Sequence, residues 1–554
     1  MFRRIFLFLF FFWKKEKEKR KKEERRFTGT LTLIHNMIAL IYFLSGITSS
    51  FSLPPTACDG LIRVGEGGDF VDSCERIRIW HGLNVVQKSY PYIPTSIYTK
   101  DGSSLSPEDA LLWASLGFNV VRLGVMWAGA VPTKRGEVNI TYLSSLAALS
   151  QLLYDKQGIY TFLDAHQDGF SEWFCDDGAP VWAAKEYSVG ATAAFPEPLA
   201  RPINSTTSCS TLSNIPWSEL YLTYAVGKAF QTLYASPQGQ KDFGDFWGEV
   251  VKSFRGNTGV LAWELLNEPW AGDVLSDPLR ILPGVADATI LQPFYMNVTK
   301  ALRAAEASVG APSRIIFSEP VTWDNFFPVG FSELPGGAGS RGLSYHYYSL
   351  PDIVGYALQV ASRAKDASRL AGGGILSEFD VGLQSPVNSP YSVLDMRGTM
   401  DAVDSVKHSW IGWAAESIWL GNATLYLPNI RELARPYPRA IAGTNASFSF
   451  TVGKDSMRQG FFTLSYDLDA GISLGPTEIF VSTGLWWSKS DISVSCSPIG
   501  SLLWEWEWVD GQVILPGDLN NATSVLPLPF AHAFLRATPA PGIYGRVSIT
   551  VSAS

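Results

Sequence analysis

The stretch Val260-Leu-Ala-Trp-Glu-Leu-Leu-Asn-Glu-Pro269 is an apolar run that stops in an Asn-Glu pair and a proline. Such a run reads as a buried barrel strand that delivers a carboxylic acid, Glu268, to its C-terminal rim, with Pro269 opening the next loop. A second run 110 residues on, Gly374-Ile-Leu-Ser-Glu-Phe-Asp380, presents Glu378 in the same way. Two carboxyl groups facing one cleft are what cleavage of a glycosidic bond requires. The division of labour expected is Glu268 as general acid/base and Glu378 as ionised nucleophile, with carboxyls about 5–5.5 Å apart in a retaining enzyme.

Working outward, apolar runs at 80–86, 119–127, 160–167, 260–268, 314–321, 342–348, 374–380 and 410–419 alternate with longer helical or loop stretches. Eight such runs joined by crossover helices predict an α/β fold, a (β/α)8 barrel with insertions. The spacing predicts helices over 106–116, opened by Ser106-Pro-Glu-Asp, and over 143–154. The insertion 169–257, with Phe170, Trp173, Phe174, Trp182 and Trp217, is expected to form a rim on the catalytic face. After Arg435 the texture changes to alternating β-branched and aromatic runs such as Ser447-Phe-Ser-Phe-Thr-Val452, broken by Gly, Pro and Asn, which predicts an antiparallel β-sandwich. The expected division is a leader at 1–50, the barrel at 51–434 and the sandwich at 435–554. A chain of 554 residues is long enough for both, since single cores stop growing at about 250–300 residues.

The formal charge of −8 hides an asymmetry: residues 1–26 hold 11 Lys and Arg against 4 Glu, leaving 33 basic and 48 acidic side chains, or −15, in the rest. A body so acidic is not a nucleic-acid binder. The apolar stretch Met37-Ile-Ala-Leu-Ile-Tyr-Phe-Leu-Ser-Gly-Ile47, followed by Thr48-Ser-Ser50, fits a signal peptide cleaved near Ser50. A signal anchor over 31–47 behind a basic cytoplasmic segment also fits. Either way the body is exported, as a secreted or lumenal protein, membrane-anchored if the segment stays. Six glycosylation sequons, at Asn139, Asn204, Asn297, Asn422, Asn445 and Asn521, agree with export. The five cysteines lack a Cys-x-x-Cys pair, so disulfides plus one spare thiol are expected. Cys175 and Cys209 flank a Pro- and Ser-rich segment and are expected to pair, as are Cys58 and Cys74, leaving Cys496 a buried free thiol.

Asp164-Ala-His-Gln-Asp168 ends the third strand. His166 and Asp168 lack further ligands at metal spacing, so hydrogen bonds to sugar hydroxyls or to the catalytic Glu are expected of them. Ser344-Tyr-His-Tyr-Tyr348 ends the sixth, where a hydroxyl beside the nucleophile would steady its charge. Arg122 lies inside the apolar strand Asn119-Val-Val-Arg-Leu123 and needs a carboxylate partner, for which the nucleophile is the natural candidate. Trp413 fits either core packing or a platform for a pyranose ring. Gly471-Ile-Ser-Leu-Gly475 and Gly337-Ala-Gly-Ser-Arg-Gly342 match a nucleophile elbow and a dinucleotide fingerprint only by letter, because each is followed by a strand, not a helix.

With Arg122, His346 and Tyr348, the two acidic motifs resemble the cellulase-like retaining glycosidases. The stretches Gly82-Leu-Asn-Val-Val-Gln-Lys-Ser-Tyr-Pro-Tyr92, Gly178-Ala-Pro-Val-Trp182, Asn267-Glu-Pro-Trp-Ala-Gly272 and Arg435-Pro-Tyr-Pro-Arg-Ala-Ile-Ala-Gly443 are similar, more specifically, to endoglycoceramidases. The resemblance implies hydrolysis of the β-linkage between an oligosaccharide and ceramide in glycosphingolipids, with no metal and no organic cofactor. It implies Lys88, His166, Asp168, Asn267, Tyr348 and Trp413 as sugar-contacting residues, supported by Arg122 and His346. Two departures bear on glycan preference: Ser-Glu378-Phe-Asp where that family has Thr-Glu-Phe-Gly, and Glu416 where it has a basic residue. A glucosylceramide or steryl β-glucosidase, a β-1,4-glucanase and a catalytically idle glycolipid-binding protein are the other readings. Phe170, Trp173, Phe174, Trp270, Trp323, Phe326 and Phe327 follow strands that carry the catalytic face, and are expected as a group to line a slot for the ceramide chains. A monomer that meets a membrane or micelle through its substrate is expected.

Overall fold

A computed structural model describes residues 58, 60–99, 101–191, 217–322, 326–348, 355–382, 390–419, 425–452, 460–468, 475–513 and 529–553. The leader at 1–50, Cys209, Trp323, Asn204, Asn422 and Asn521 lie outside them. Eight parallel strands, His81–Val85, Val120–Gly124, Tyr160–Asp164, Val260–Glu264, Ile315–Ser318, Arg341–Tyr347, Gly373–Phe379 and Ser409–Gly412, close into a barrel. Each is buried nearly throughout, which is why all eight read as unbroken apolar runs. Most of the runs are longer than the strands, because residues just past a strand end, such as Val125, Met126, Leu265 and Leu266, are buried as well.

The barrel interior is layered. At the N-terminal end Trp80, Val120, Phe162, Ala262, Phe317, Ile375 and Ile411 pack into an apolar plug, with the Phe162 and Phe317 rings 4.8 Å apart. Above the plug the inward side chains become polar, beginning with Arg122, which is fully buried. The surrounding helices begin where the sequence signals them. Ser106 and Asp109 form a reciprocal cap on Pro107–Ser115, and Asn139 accepts from Tyr142 N at 3.1 Å to open Ile140–Gln157, which Gly158 ends with φ +63°.

The second domain packs a seven-stranded sheet against a four-stranded one. The smaller sheet runs Thr444–Val452, Gly460–Leu468, Gly545–Ala553, Ile492–Ser497. The larger runs Arg63–Val64, Phe70–Val71, Ile77–Arg78, Tyr437–Ile441, Thr477–Ser482, His532–Pro539, Leu502–Val509, so three strands from before the barrel belong to it. Within the segment 51–434 expected as the barrel domain, residues 63–78 thus pair in the sandwich's sheet, while Val64 and Phe70 pack against the barrel floor. Cys58 and Cys74 are joined, and Cys175 is disulfide-bonded. Cys496 is free but half-buried rather than buried, because Ile492–Ser497 is an edge strand. The described sequon residues Asn139, Asn297 and Asn445 are exposed. No helix among the described residues is long and apolar enough to cross a membrane.

Sandwich and barrel meet at Gly117 and His81. The His81 ring lies between Trp410 and Tyr437, 3.9 and 3.8 Å from their centroids, and Tyr437 OH donates to Gly117 O at 2.6 Å. Gly117 has φ +88°, and a Cβ there would lie 2.6 Å from the Phe480 ring. Gly117→Ala is expected to cost about 2–4 kcal/mol in urea unfolding, from left-handed strain plus overpacking. Gly158→Ala, at φ +63° with nothing within 4 Å, meets the strain alone and should cost about 1 kcal/mol. Equal losses would mean that the contact with Phe480 contributes nothing.

Candidate active site

Arg122 organises the mouth. Its Nε donates to Glu264 Oε2 at 2.5 Å, Nη1 to Glu378 Oε1 at 2.6 Å and to Asn84 Oδ1 at 2.9 Å, and Nη2 to Asn267 Oδ1 at 2.7 Å. Asp164 lies 3.1 Å from Nη2. Burial opposes charge on a guanidinium, but the carboxylates of Asp164, Glu264 and Glu378 outweigh it and hold the cation more firmly than usual. One side chain thus joins the second, third, fourth and seventh strands with the first.

Glu268 does not close its strand. The strand ends at Glu264, whose carboxyl is wholly buried against Arg122, and Glu268 stands four residues on with φ +40°. That left-handed backbone is pinned from two sides: Glu268 N donates to Glu319 Oε2 at 2.8 Å, and Gln167 Nε2 donates to the carbonyls of Asn267 and Glu268 at 2.7 and 3.1 Å. Across the mouth Tyr348 OH donates to Glu378 Oε2 at 2.7 Å. His346 Nδ1 lies 2.8 Å from Glu268 Oε1 and 3.5 Å from both Glu319 and Glu378. A carboxylate oxygen of Glu268 and one of Glu378 fall within 4.8 Å of each other.

The electrostatics separate the groups. Burial, then the charge of Asp168, pushes the Glu268 carboxyl up to about 7. Burial pushes His346 down to about 4, so the ring between the two acids is neutral at neutral pH. Burial and the carboxylates of Glu264 and Glu268 hold Glu319 far above the usual range.

The other side of the mouth is polar. Lys88 is ion-paired with Asp168 and lies 3.9 Å from Asp177, and its ammonium sits 4.8 Å from the Trp413 ring centroid. His166 stacks on Trp413 with centroids 5.4 Å apart, and its Nδ1 lies 2.7 Å from Asp164. Burial opposes charge on His166, yet Asp164 and Asp168 raise it to about 10. The donor atoms of His166, Asp168 and Asp177 cluster within 4.8 Å, as do those of Glu264, Glu319 and His346 and of Glu268, His346 and Glu378. Lys88 already supplies the cation for the first set and Arg122 for Glu264 and Glu378, so a metal would have to displace them.

Residues 99–417 match cellulase (glycosyl hydrolase family 5), and residues 435–523 the glycoside hydrolase family 5 C-terminal domain. Over 468 residues the chain is 36% identical to Endoglycoceramidase of Hydra vulgaris, covering 80% of this chain and 84% of that one. The chain belongs to the endoglycoceramidases of glycosyl hydrolase family 5. Endoglycoceramidase of Cyanea nozakii is 35% identical over 463 residues, 79% of this chain and 88% of the relative. Endo-glycoceramidase II from Rhodococcus sp. shares the fold, with a TM-score of 0.64 at 22% identity over 86% of this chain and 98% of that one.

In this family 5 glycosidase the structure gathers Glu268, Glu378, Arg122, His346, Tyr348 and Asn267 around one point, with Lys88, His166, Asp168 and Trp413 beside it. Among the described residues it does not gather the expected slot. Phe170 and Phe174 are buried beneath the insertion, Phe170 against Phe230 at 4.9 Å, and Trp270 is buried against Tyr221 at 5.6 Å. These three fasten loops to the barrel, since their surroundings are already filled with other rings. Trp173 is half-buried under the Lys185 ammonium, 4.2 Å from its centroid. Phe326 and Phe327 are exposed at the rim. Glu264, Glu319, Asp164 and Gln167 were not assigned roles from the sequence. Glu319 had a signal, for Ser318-Glu319-Pro320 repeats the acid-then-proline ending of Asn267-Glu268-Pro269.

Removing Arg122 would leave Asp164, Glu264 and Glu378 buried without their common cation. Arg122→Met is expected to lower stability by about 3–5 kcal/mol in denaturant unfolding, and a loss below about 1 kcal/mol would contradict its central place.

Proposed function

We propose that the chain hydrolyses the β-glycosidic bond between an oligosaccharide and ceramide in glycosphingolipids, with retention of configuration. The observation that carries the mechanism is the 4.8 Å limit on the distance between oxygens of Glu268 and Glu378. An inverting enzyme keeps its carboxyls about 6.5–9.5 Å apart to admit a water between them. Glu378, its two oxygens fixed by Arg122 and Tyr348, attacks the anomeric carbon and forms a glycosyl ester. Glu268 gives its proton to the glycosidic oxygen, and ceramide leaves as the neutral alcohol. Glu268, now a carboxylate, takes a proton from water, whose oxygen attacks the same carbon; the sugar departs and the Glu378 carboxylate is restored. Lys88, His166, Asp168, Asn267, Tyr348 and Trp413 contact the sugars.

The ceramide aglycone is supported by the similarity to the Hydra vulgaris and Cyanea nozakii enzymes, both named endoglycoceramidase. The Rhodococcus sp. enzyme has been captured as a lactosyl-enzyme intermediate and as a ganglioside GM3 complex. A secreted or lumenal site of action is supported by the Cys58–Cys74 disulfide and by the exposed sequon residues.

Glu378→Gln should lose nearly all turnover. Glu268→Ala should keep activity on activated aryl glycosides when azide replaces the missing base, and unimpaired turnover by either variant would refute the assignment. The pH dependence follows from the raised Glu268. The acid must be protonated, so kcat/KM on a natural aglycone should fall as pH rises through about 7, and a nitrophenyl aglycone, which departs without a proton, should flatten that limb. A natural-substrate profile still rising at pH well above 7 would remove Glu268 as the acid. A ganglioside should be cleaved with a much larger specificity constant than the same oligosaccharide on a short soluble aglycone, and equal constants would favour a β-glucanase.

A further inference from the structure

Tyr90 is 86% exposed, more than any other tyrosine, tryptophan or phenylalanine among the described residues. It stands on the loop after the first barrel strand, His81–Val85, two residues beyond Lys88. That loop is firmly held. Tyr92 N donates to Ser89 O at 2.8 Å, closing a turn around Tyr90, and Gln87 Nε2 donates to Ser89 Oγ at 3.0 Å. Tyr92 itself is buried, with φ +62°, and its OH donates to Glu172 Oε2 at 3.4 Å. The two tyrosine rings meet at 83° with centroids 6.3 Å apart. Left-handed backbone at a tyrosine is strained and persists only where the surroundings enforce it. Here the buried Tyr92 ring enforces it, and the result is an aromatic side chain at position 90 held clear of the protein.

A single exposed ring is ordinary on a protein surface, but this one has a strained anchor and a particular place. Lys88 stands at the outer edge of the polar half of the mouth, ion-paired with Asp168 and 4.8 Å from the Trp413 ring centroid. Two residues of chain span at most about 7 Å, so Tyr90 follows directly on the groups that take the sugars. Glu172, also exposed, reaches the same loop through the Tyr92 hydroxyl. A flat aromatic face packs on the C–H face of a pyranose ring, and a carboxylate beside it accepts from sugar hydroxyls. We propose that Tyr90 is a platform for the third sugar from ceramide, which makes the protein prefer headgroups of three or more sugars to those of two. The first sugar fills the point between Glu268 and Glu378, the second meets Lys88 and Asp168, and the third leaves the barrel mouth where Tyr90 stands. The inference rests on the glycosphingolipid reading for the identity of the sugar chain.

Free di-, tri- and tetrasaccharides of one glycan series are the probe, because without an aglycone to lose they report binding and not turnover. In calorimetric titration the wild-type protein should bind the tri- and tetrasaccharide about three- to tenfold more tightly than the disaccharide, the range expected of one stacked ring. Tyr90→Ala and Tyr90→Leu should both abolish that advantage, whereas Tyr90→Trp, which restores a flat aromatic face, should keep it. The same ratios should appear in kcat/KM on the glycosphingolipids that carry these headgroups. Equal wild-type affinity for the di- and trisaccharide would overturn the proposal. So would a Tyr90→Leu variant that keeps the advantage, or a Tyr90→Ala loss that is the same for every length. Length-dependent binding through Tyr90, without cleavage of any glycosphingolipid, would uphold the platform and remove the substrate reading instead.

Discussion

A guanidinium with no access to water holds this barrel's mouth together. Arg122 cannot give up its charge, and a charge buried alone would cost several kcal/mol, so the fold has to bring carboxylates to it. Asp164 and Glu264 meet that demand from the ends of the third and fourth strands, and Glu378 meets it from within the seventh. The reacting carboxylate is therefore placed by the same contacts that make the barrel's polar layer tolerable. Catalytic geometry and stability are here one constraint, and neither can drift without the other.

The two working acids gain different environments from one compartment. Glu378 faces two donors, Arg122 and Tyr348, whereas the Glu268 side chain faces the neutral ring of His346 and feels the Asp168 carboxylate across the mouth. The contrast needs no special residue at either position; it comes from which strand ends surround each carboxyl. Holding Glu268 there costs left-handed backbone, and the buried carboxyl of Glu319 and the amide of Gln167 supply the hydrogen bonds that keep it.

Much of this could be read from the chain, for definite reasons. Parallel strands buried on both faces leave apolar runs that no surface loop imitates, so all eight barrel strands and both acidic endings stood out. Arg122 stood out because a charge inside such a run demands a partner. Glu264 did not, because an acid near the end of an apolar run looks like a rim residue until its neighbour across the sheet is known. The strands Arg63–Val64, Phe70–Val71 and Ile77–Arg78 are too short to show a period of two. The rings after the third strand misled for a related reason: Phe170 and Phe174 carry the composition of a lipid slot, yet burial depends on what lies above them, which a one-dimensional pattern does not contain.

The pairing of Ile77–Arg78 with Tyr437–Ile441 has a further consequence, for the order in which the molecule can form. Arg78 Nε donates to Arg439 O across 361 positions of chain. On the ribosome the lead-in to the first barrel strand must therefore wait, with an unpaired edge, until Tyr437–Ile441 has emerged. Contacts of such sequence separation are slow to form, and unpaired edges invite association with other chains. The barrel and the sandwich are thus coupled as one late-closing unit, whose early strands stay open to wrong partners until the sheet is completed.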